Sequence, residues 1–140
     1  MTQLLEWIYE HSLTIDFGMF LIIWLVQVII YPSLRFVDPS VFIQWHGNYC
    51  NRVAYFVLPL MILQLVGSLS TCFFQGSKFD WMRLIAVVFA WFITFFHSAP
   101  AHRKLAKGGK KMATIDTLIR GNLYRLVAWT TAFMISLYTY

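Results

Sequence analysis

The sequence predicts an all-α protein, a four-helix transmembrane bundle running up-down-up-down, with a long second helix that extends into the cytoplasmic interface. Three observations carry that prediction. Of the 140 residues, 59% are hydrophobic and only 12% are charged, whereas soluble domains run near a quarter charged. The apolar residues gather into four runs divided by turn residues and charges. The basic residues fall almost entirely on one of the two sets of connections. A chain of this length supplies one integral membrane domain, residues 1–140, and no second one.

The spans are expected at about 13–31, 53–74, 80–98 and 120–139, since a helix needs about 20 residues to cross the hydrocarbon core. The first run, LTIDFGMFLIIWLVQVIIY, holds a single acid, Asp16, and Pro32 is expected to end it. In VDPS, Asp38 reads as an N-cap with Pro39 at the first helical position. The second helix is then expected from Pro39 to about Cys72, with its first turns beyond the hydrocarbon core and a kink at Pro59. QGSKFD is a turn in which Ser77 and Asp80 have the spacing of a capping box, and KGGKK is a flexible break before the last helix. The third and fourth apolar runs, WMRLIAVVFAWFITFF and LYRLVAWTTAFMISLY, are short. They reach spanning length only if polar flanks such as His97 and Asn122 lie within the helices. Glu6 and Glu10 have the wrong sign for a signal peptide, so the first run is expected to be retained.

Four spans place both termini and the second connection on one side, with Lys78 and Arg83. The other nine of the eleven Lys and Arg residues lie on the opposite side, six of them between Arg103 and Arg120. The positive-inside rule makes that side cytoplasmic and puts the termini on the periplasmic or exterior side of a bacterial inner membrane. These charges serve orientation and attraction to anionic headgroups. The net charge of +5 therefore does not point to nucleic acid, which needs a shaped basic surface. Cys50 and Cys72 form no CxxC pair, which excludes a thioredoxin-like motif; both read as small buried side chains.

Helical spacing gathers the remaining polar residues. Asp16, Phe20, Trp24, Gln27 and Tyr31 form a stripe on the first helix; Asn122, Arg125, Trp129 and Phe133 form one on the fourth. His46, Tyr49, Cys50 and Val53 share a face of the second helix. Gln27, Tyr31, His46, Tyr49, Arg52, His97, His102, Asn122 and Arg125 all fall at the cytoplasmic end, with Trp129 beside them. Ionisable groups within a span usually face the interior and often carry function.

Several readings of this cluster stand open. His46, His97 and His102 could ligate a transition metal, although no HxxxH or HExxH pair lies on one helix. His46 or His97 could be an axial ligand to haem. A pocket without cofactor could take a lipophilic aromatic or quinone-like molecule, which the site would bind or oxidise. Arg125 and Asn122 would then hold an oxyanion and His46 or His102 would exchange a proton, so His46, His102 and Arg125 are the catalytic candidates. A plainer reading is a hydrogen-bonded layer locking the helices, with Arg125 reaching to lipid phosphate. In a different class, the chain is a non-catalytic accessory subunit in a larger membrane complex or a homo-oligomer, with faces such as FAWFITFF packing against protein or pigment.

VQVIIYPSLRFVDPSVFIQWHGNYCNRVAYFVLPLMILQL and PAHRKLAKGGKKMATIDTLIRGNLYRLVAWT resemble the two signatures of a family of small, uncharacterised bacterial four-helix membrane proteins. The first is carried by Gln27, Tyr31, Pro32, His46, Tyr49, Pro59 and Met61, the second by Pro100, His102, Leu105, Gly108, Asn122, Arg125 and Trp129. The wider group is similar to anthrone-oxygenase-like membrane proteins, which oxidise polycyclic phenols without a known metal. The chain departs from that pattern at Leu123, where a tryptophan is expected, and at Gln64, where an acid is common. The resemblance implies the fold and the place of the site more than its chemistry.

Overall fold

The computed structural model describes residues 2–139, and among them every regular element is a helix. Helix α1 is Thr2–Glu10 and α2 is Ser12–Leu25. A π-turn over Val26–Ile30 leads into α3, Tyr31–Ser33, and a 3₁₀ turn over Leu34–Phe36. Helix α4 is Phe42–Phe74 and α5 is Lys78–Ile93. A second π-turn, Thr94–Ser98, joins α5 to α6, Ala99–Gly108, and α7 is Met112–Thr139. α2 packs against α4 and α7, and α5 packs against the same two helices.

Pro32, expected to end the first helix, and Pro100 are absorbed by the same device. Pro32 does not end the first helix, which continues to Phe36, and Pro100 does not interrupt the run from Lys78 to Gly108. A proline lacks the N–H for the usual bond, and its ring crowds the carbonyl four residues back. Here the residue before each proline bonds five residues back instead: Tyr31 N–H to the Val26 carbonyl, and Ala99 N–H to the Thr94 carbonyl. The wider turn opens the ladder where the ring must fit. It also shifts the buried stripe of the first helix. Met19, Ile23 and Val26 are buried at α-helical steps, and the next buried residue is Tyr31, five on. Trp24, expected on that stripe, is exposed and donates to the Thr130 hydroxyl at 3.2 Å.

The second helix starts later than expected. The Asp38 carboxylate accepts from Ser40 N at 2.8 Å and Ser40 Oγ at 2.5 Å, which holds its pKa below the usual carboxylate range. Those bonds make residues 38–41 a turn, and α4 begins at Phe42 with Val41 as its N-cap. From there its 33 residues run unbroken past Pro59 for about 50 Å at 1.5 Å per residue. The capping box at Ser77 and Asp80 is present. Helix α7 reaches back to Met112, well before the expected start at 120. Gly109, at φ +71°, caps α6 by donating to the Leu105 carbonyl, a left-handed conformation that glycine adopts without a Cβ penalty. The break beside it is anchored. Lys110 Nζ donates to the Arg35 and Val37 carbonyls at 2.6 and 2.8 Å, and Arg35 pairs with Asp116 at 2.6 Å. Helix α1 was not foreseen; its Ile8 is buried against Gly67 of α4.

Among the described residues, three helical stretches are long and apolar enough to cross a membrane: Ser12–Phe36, Phe42–Phe74 and Lys78–Gly108. α7, the expected fourth span, is less apolar because its polar residues face its neighbours. Asn122, Arg125 and Ser136 are all buried along it, with Trp129 fully enclosed. Arg83 and Arg125, counted above among the flanking charges, are likewise interior. The outward faces carry large apolar side chains, among them Val28, Ile29, Phe56, Ile85, Phe92 and Val127.

Candidate functional site

Helical spacing brings the stripe of α7 inward. Arg125 Nη1 donates to Asn122 Oδ1 at 3.2 Å and to Ser98 Oγ at 3.3 Å, and its guanidinium lies 4.8 Å from the ring of Trp129. Asn122 Nδ2 in turn donates to Gln27 Oε1 at 2.8 Å, tying α7 to the π-turn after α2. Arg125 Nε is buried without a protein partner, so one strong donor remains free in a mostly apolar setting, where unmet polar groups are costly.

One turn further toward the α3 and α6 end, side chains from three helical segments meet. His46 and Cys50 stand four apart on α4 and so share a face. His102 comes from α6, one turn beyond the second π-turn. His46 Nε2 lies 3.0 Å from His102 Nδ1, and the Cys50 sulfur lies 3.6 Å from each of those nitrogens. The far side of the His102 ring, Nε2, is 2.9 Å from the Tyr31 hydroxyl. Phe42 stacks on His46 at an interplanar angle of 12°, fixing the plane of that ring. His46 and Tyr31 are buried, while Tyr49, Cys50 and His102 are half-buried.

These groups open on a cavity of about 280 Å³ between α2, α4, α7 and the α5–α6 junction. Tyr31, Tyr49, Cys50, His102, Arg125 and Trp129 contribute to its wall, and aliphatic side chains such as Ile23, Val53, Val57 and Met61 form most of the rest. Comparison with family models, with curated proteins and with solved structures gives no match for this chain.

Of the residues singled out from the sequence, Tyr31, Tyr49, His102, Arg125 and Trp129 line the cavity, with His46 directly behind His102. Asn122 is one hydrogen bond further from it, through Arg125, and Gln27 two, through Asn122. Arg52 lies elsewhere. It is exposed and lines a separate depression with Trp45, Asn48, Tyr49 and Val53. His97 also lies apart, on a surface hollow with Phe96, Pro100, Ala101, Lys104, Ala113, Thr114 and Thr117. Its ring fills the space over Gly121, where a Cβ would sit 1.9 Å from His97 Cε1.

Two features went unread in the sequence. Cys50 joins the histidines, and the spacing His-x-x-x-Cys at residues 46–50 was the available signal. Toward the other end, the Asp16 carboxylate accepts from Gln64 Nε2 at 2.6 Å, from Arg83 Nε at 2.7 Å and from Ser136 Oγ. Trp129 Nε1 donates to Gln64 Oε1 at 2.8 Å, so this second cluster meets the first through Trp129.

Proposed function

We propose that the chain is a four-helix, up-down-up-down integral protein of the bacterial inner membrane, with both termini outside, that binds a lipophilic aromatic or quinone-like molecule in the cavity beside Arg125. One observation carries the reading: the cavity is apolar nearly throughout, yet the Arg125 side chain and a Tyr–His–His chain converge on it. Binding pockets characteristically combine apolar walls with a few placed polar groups. A volume of about 280 Å³ sits at the small end of ligand pockets and suits a molecule of one or two rings. Arg125 would hold a phenolate or carbonyl oxygen by planar, charge-assisted bonds. His102, with Tyr31 on one side and His46 on the other, would pass the proton that leaves or joins that oxygen. The resemblance to anthrone-oxygenase-like membrane proteins points to the same class of molecule.

The test is the organic extract of protein purified in mild detergent, with its optical spectrum. A small aromatic or quinone at about one per chain in the wild type, depleted in Arg125→Lys, supports the reading. A wild-type extract with lipid alone overturns it. A Soret band would assign haem instead, and stoichiometric copurified subunits an accessory role. Orientation has its own test. A cysteine at Lys111, next to the α6–α7 break, should react with a membrane-impermeant reagent only after the cells are opened; labelling in intact cells would reverse the topology.

A further inference from the structure

The geometry points to a metal site: we propose that His46 Nε2, Cys50 Sγ and His102 Nδ1 ligate one borderline divalent transition metal ion of the zinc class, with the fourth position open to the cavity. The three ligand atoms form a triangle with sides of 3.0, 3.6 and 3.6 Å. A tetrahedral ion with bonds of about 2.05 Å to nitrogen and about 2.3 Å to sulfur separates its ligands by about 3.3 Å (N to N) and about 3.5 Å (N to S). The side chains therefore already stand near the edges of a coordination tetrahedron. Imidazole and thiolate are the donors that zinc-class ions prefer over magnesium or calcium. Among the described residues, this is the one group of three or more such side chains close enough to share an ion.

The supports are those a metal site requires. His46 and Cys50 project from one face of a continuous helix, and His102 from a second, so no loop has to be ordered on binding. With Nδ1 of His102 on the metal, its Nε2 carries the proton and donates to the Tyr31 oxygen. That outer bond fixes tautomer and ring orientation. The protons balance simply. The Cys50 thiol loses its proton to solvent. The proton held between the two imidazoles moves to the outer nitrogen of its own ring, leaving both rings neutral. Cys50, His102 and Tyr31 all line the cavity, so the position left by three ligands faces it, the pattern of sites that take a substrate. The open position rests on the pocket reading above, but the three ligands do not.

The experiment uses full-length protein without a polyhistidine tag, stripped with chelator and titrated with cobalt(II). One cobalt per chain is expected, with a thiolate-to-cobalt charge-transfer band and the intense visible bands of four-coordinate geometry, both bleached by zinc. Cys50→Ser should abolish the charge-transfer band, and Cys72→Ser should keep it. Tyr31→Phe should keep the band and weaken cobalt binding roughly 10–100-fold. Absence of the band in the wild type at excess cobalt overturns the site, as does its survival in Cys50→Ser. Should Cys50→Ser not fold, the wild-type titration and Cys72→Ser decide alone. A failed titration leaves the organic extract and its loss in Arg125→Lys untouched, and an empty extract leaves the cobalt bands untouched, so the two readings fail separately.

Discussion

Two polar clusters lie inside this apolar protein, one centred on Asp16 and one on His102, and they are built on opposite principles. Around Asp16, the charges are paired. A single carboxylate accepts from an arginine, an amide and a hydroxyl on three other helices, and is wholly enclosed. Around His102 two imidazole nitrogens and a thiol sulfur converge, with one ring proton between the imidazoles, and the group opens on a cavity. The first arrangement closes on itself except for the Arg83 Nη2 donor, which has no protein partner. The second gathers three atoms that can each turn a lone pair to a cation once the thiol proton has left and the ring proton has moved outward. The contrast separates a buried charge held by its partners from a set of soft donor atoms beside a cavity.

The largest test of that contrast is Asp16→Ala. Removing one partner strands Arg83, which has a second nitrogen, Nη2, already without a protein partner. Breaking a buried pair this way costs about 3–5 kcal/mol, read as a drop in thermal stability in detergent. Replacing both partners, Asp16→Leu with Arg83→Met, should recover most of the loss, because apolar pairs of similar volume often substitute without penalty. A double variant as unstable as the single one would mean that the cluster does more than hold helices together.

Next in size is Gly121→Ala. The added Cβ would meet the His97 ring at 1.9 Å, so either the ring leaves its seat or α7 moves away from the α5–α6 junction. A cost of about 1–3 kcal/mol is expected, as for other overpacked sites, and the double variant Gly121→Ala, His97→Ala should regain part of it. Equal stability of the Gly121→Ala protein would show that the His97 ring can leave freely, and would return His97 to the set of residues available to the cavity.

How far the sequence reached follows the same divide. Stripes on a regular helix were legible: Asn122, Arg125 and Trp129 all turn inward together, and His46, Tyr49 and Cys50 share one face, because a 3–4 spacing survives wherever the ladder is unbroken. The capping box at Ser77 was legible because it is local. What was not legible depends on pairings far apart in the chain or on irregular turns. Asp16 and Arg83 are 67 residues apart, and each alone resembles an interfacial charge. The π-turns before Pro32 and Pro100 invert the ordinary meaning of proline, which marks a helix end where the ladder cannot widen. Cys50 shares a face with His46 on sequence grounds, but its meeting with His102 depends on α6, 52 residues away.

Arg125 tests the link between the two clusters, with a smaller effect. Lysine keeps the charge but loses the planar fork that reaches Ser98 and Asn122 and lies against Trp129. Arg125→Lys should lower retention of the bound molecule by roughly tenfold, about 1.4 kcal/mol, measured by its content in the purified protein. Retention unchanged in a folded variant would remove Arg125 from the site and leave it as a link between α7 and the α5–α6 junction.

The smallest effect is expected at Arg52, and it sharpens the boundary of the site. On sequence grounds Arg52 belongs with the other polar groups at this end. In the structure it is exposed on α4, and the depression it lines does not include His102 or Arg125. Two residues away from Cys50 on a helix means a different face, since side chains meet only at steps of three and four. Arg52→Gln should therefore change stability by no more than about 0.5 kcal/mol, as exposed substitutions do, and should leave cobalt binding and the organic content within roughly twofold of wild type, a shift of about 0.4 kcal/mol. Tyr49 and Val53 are shared by that depression and the cavity, and Tyr49, the polar one of the two, is the route by which Arg52 could matter. A loss of retention in Arg52→Gln that disappears in Tyr49→Phe would mean the two hollows join through the Tyr49 hydroxyl, and the site would then extend to the outer face of α4.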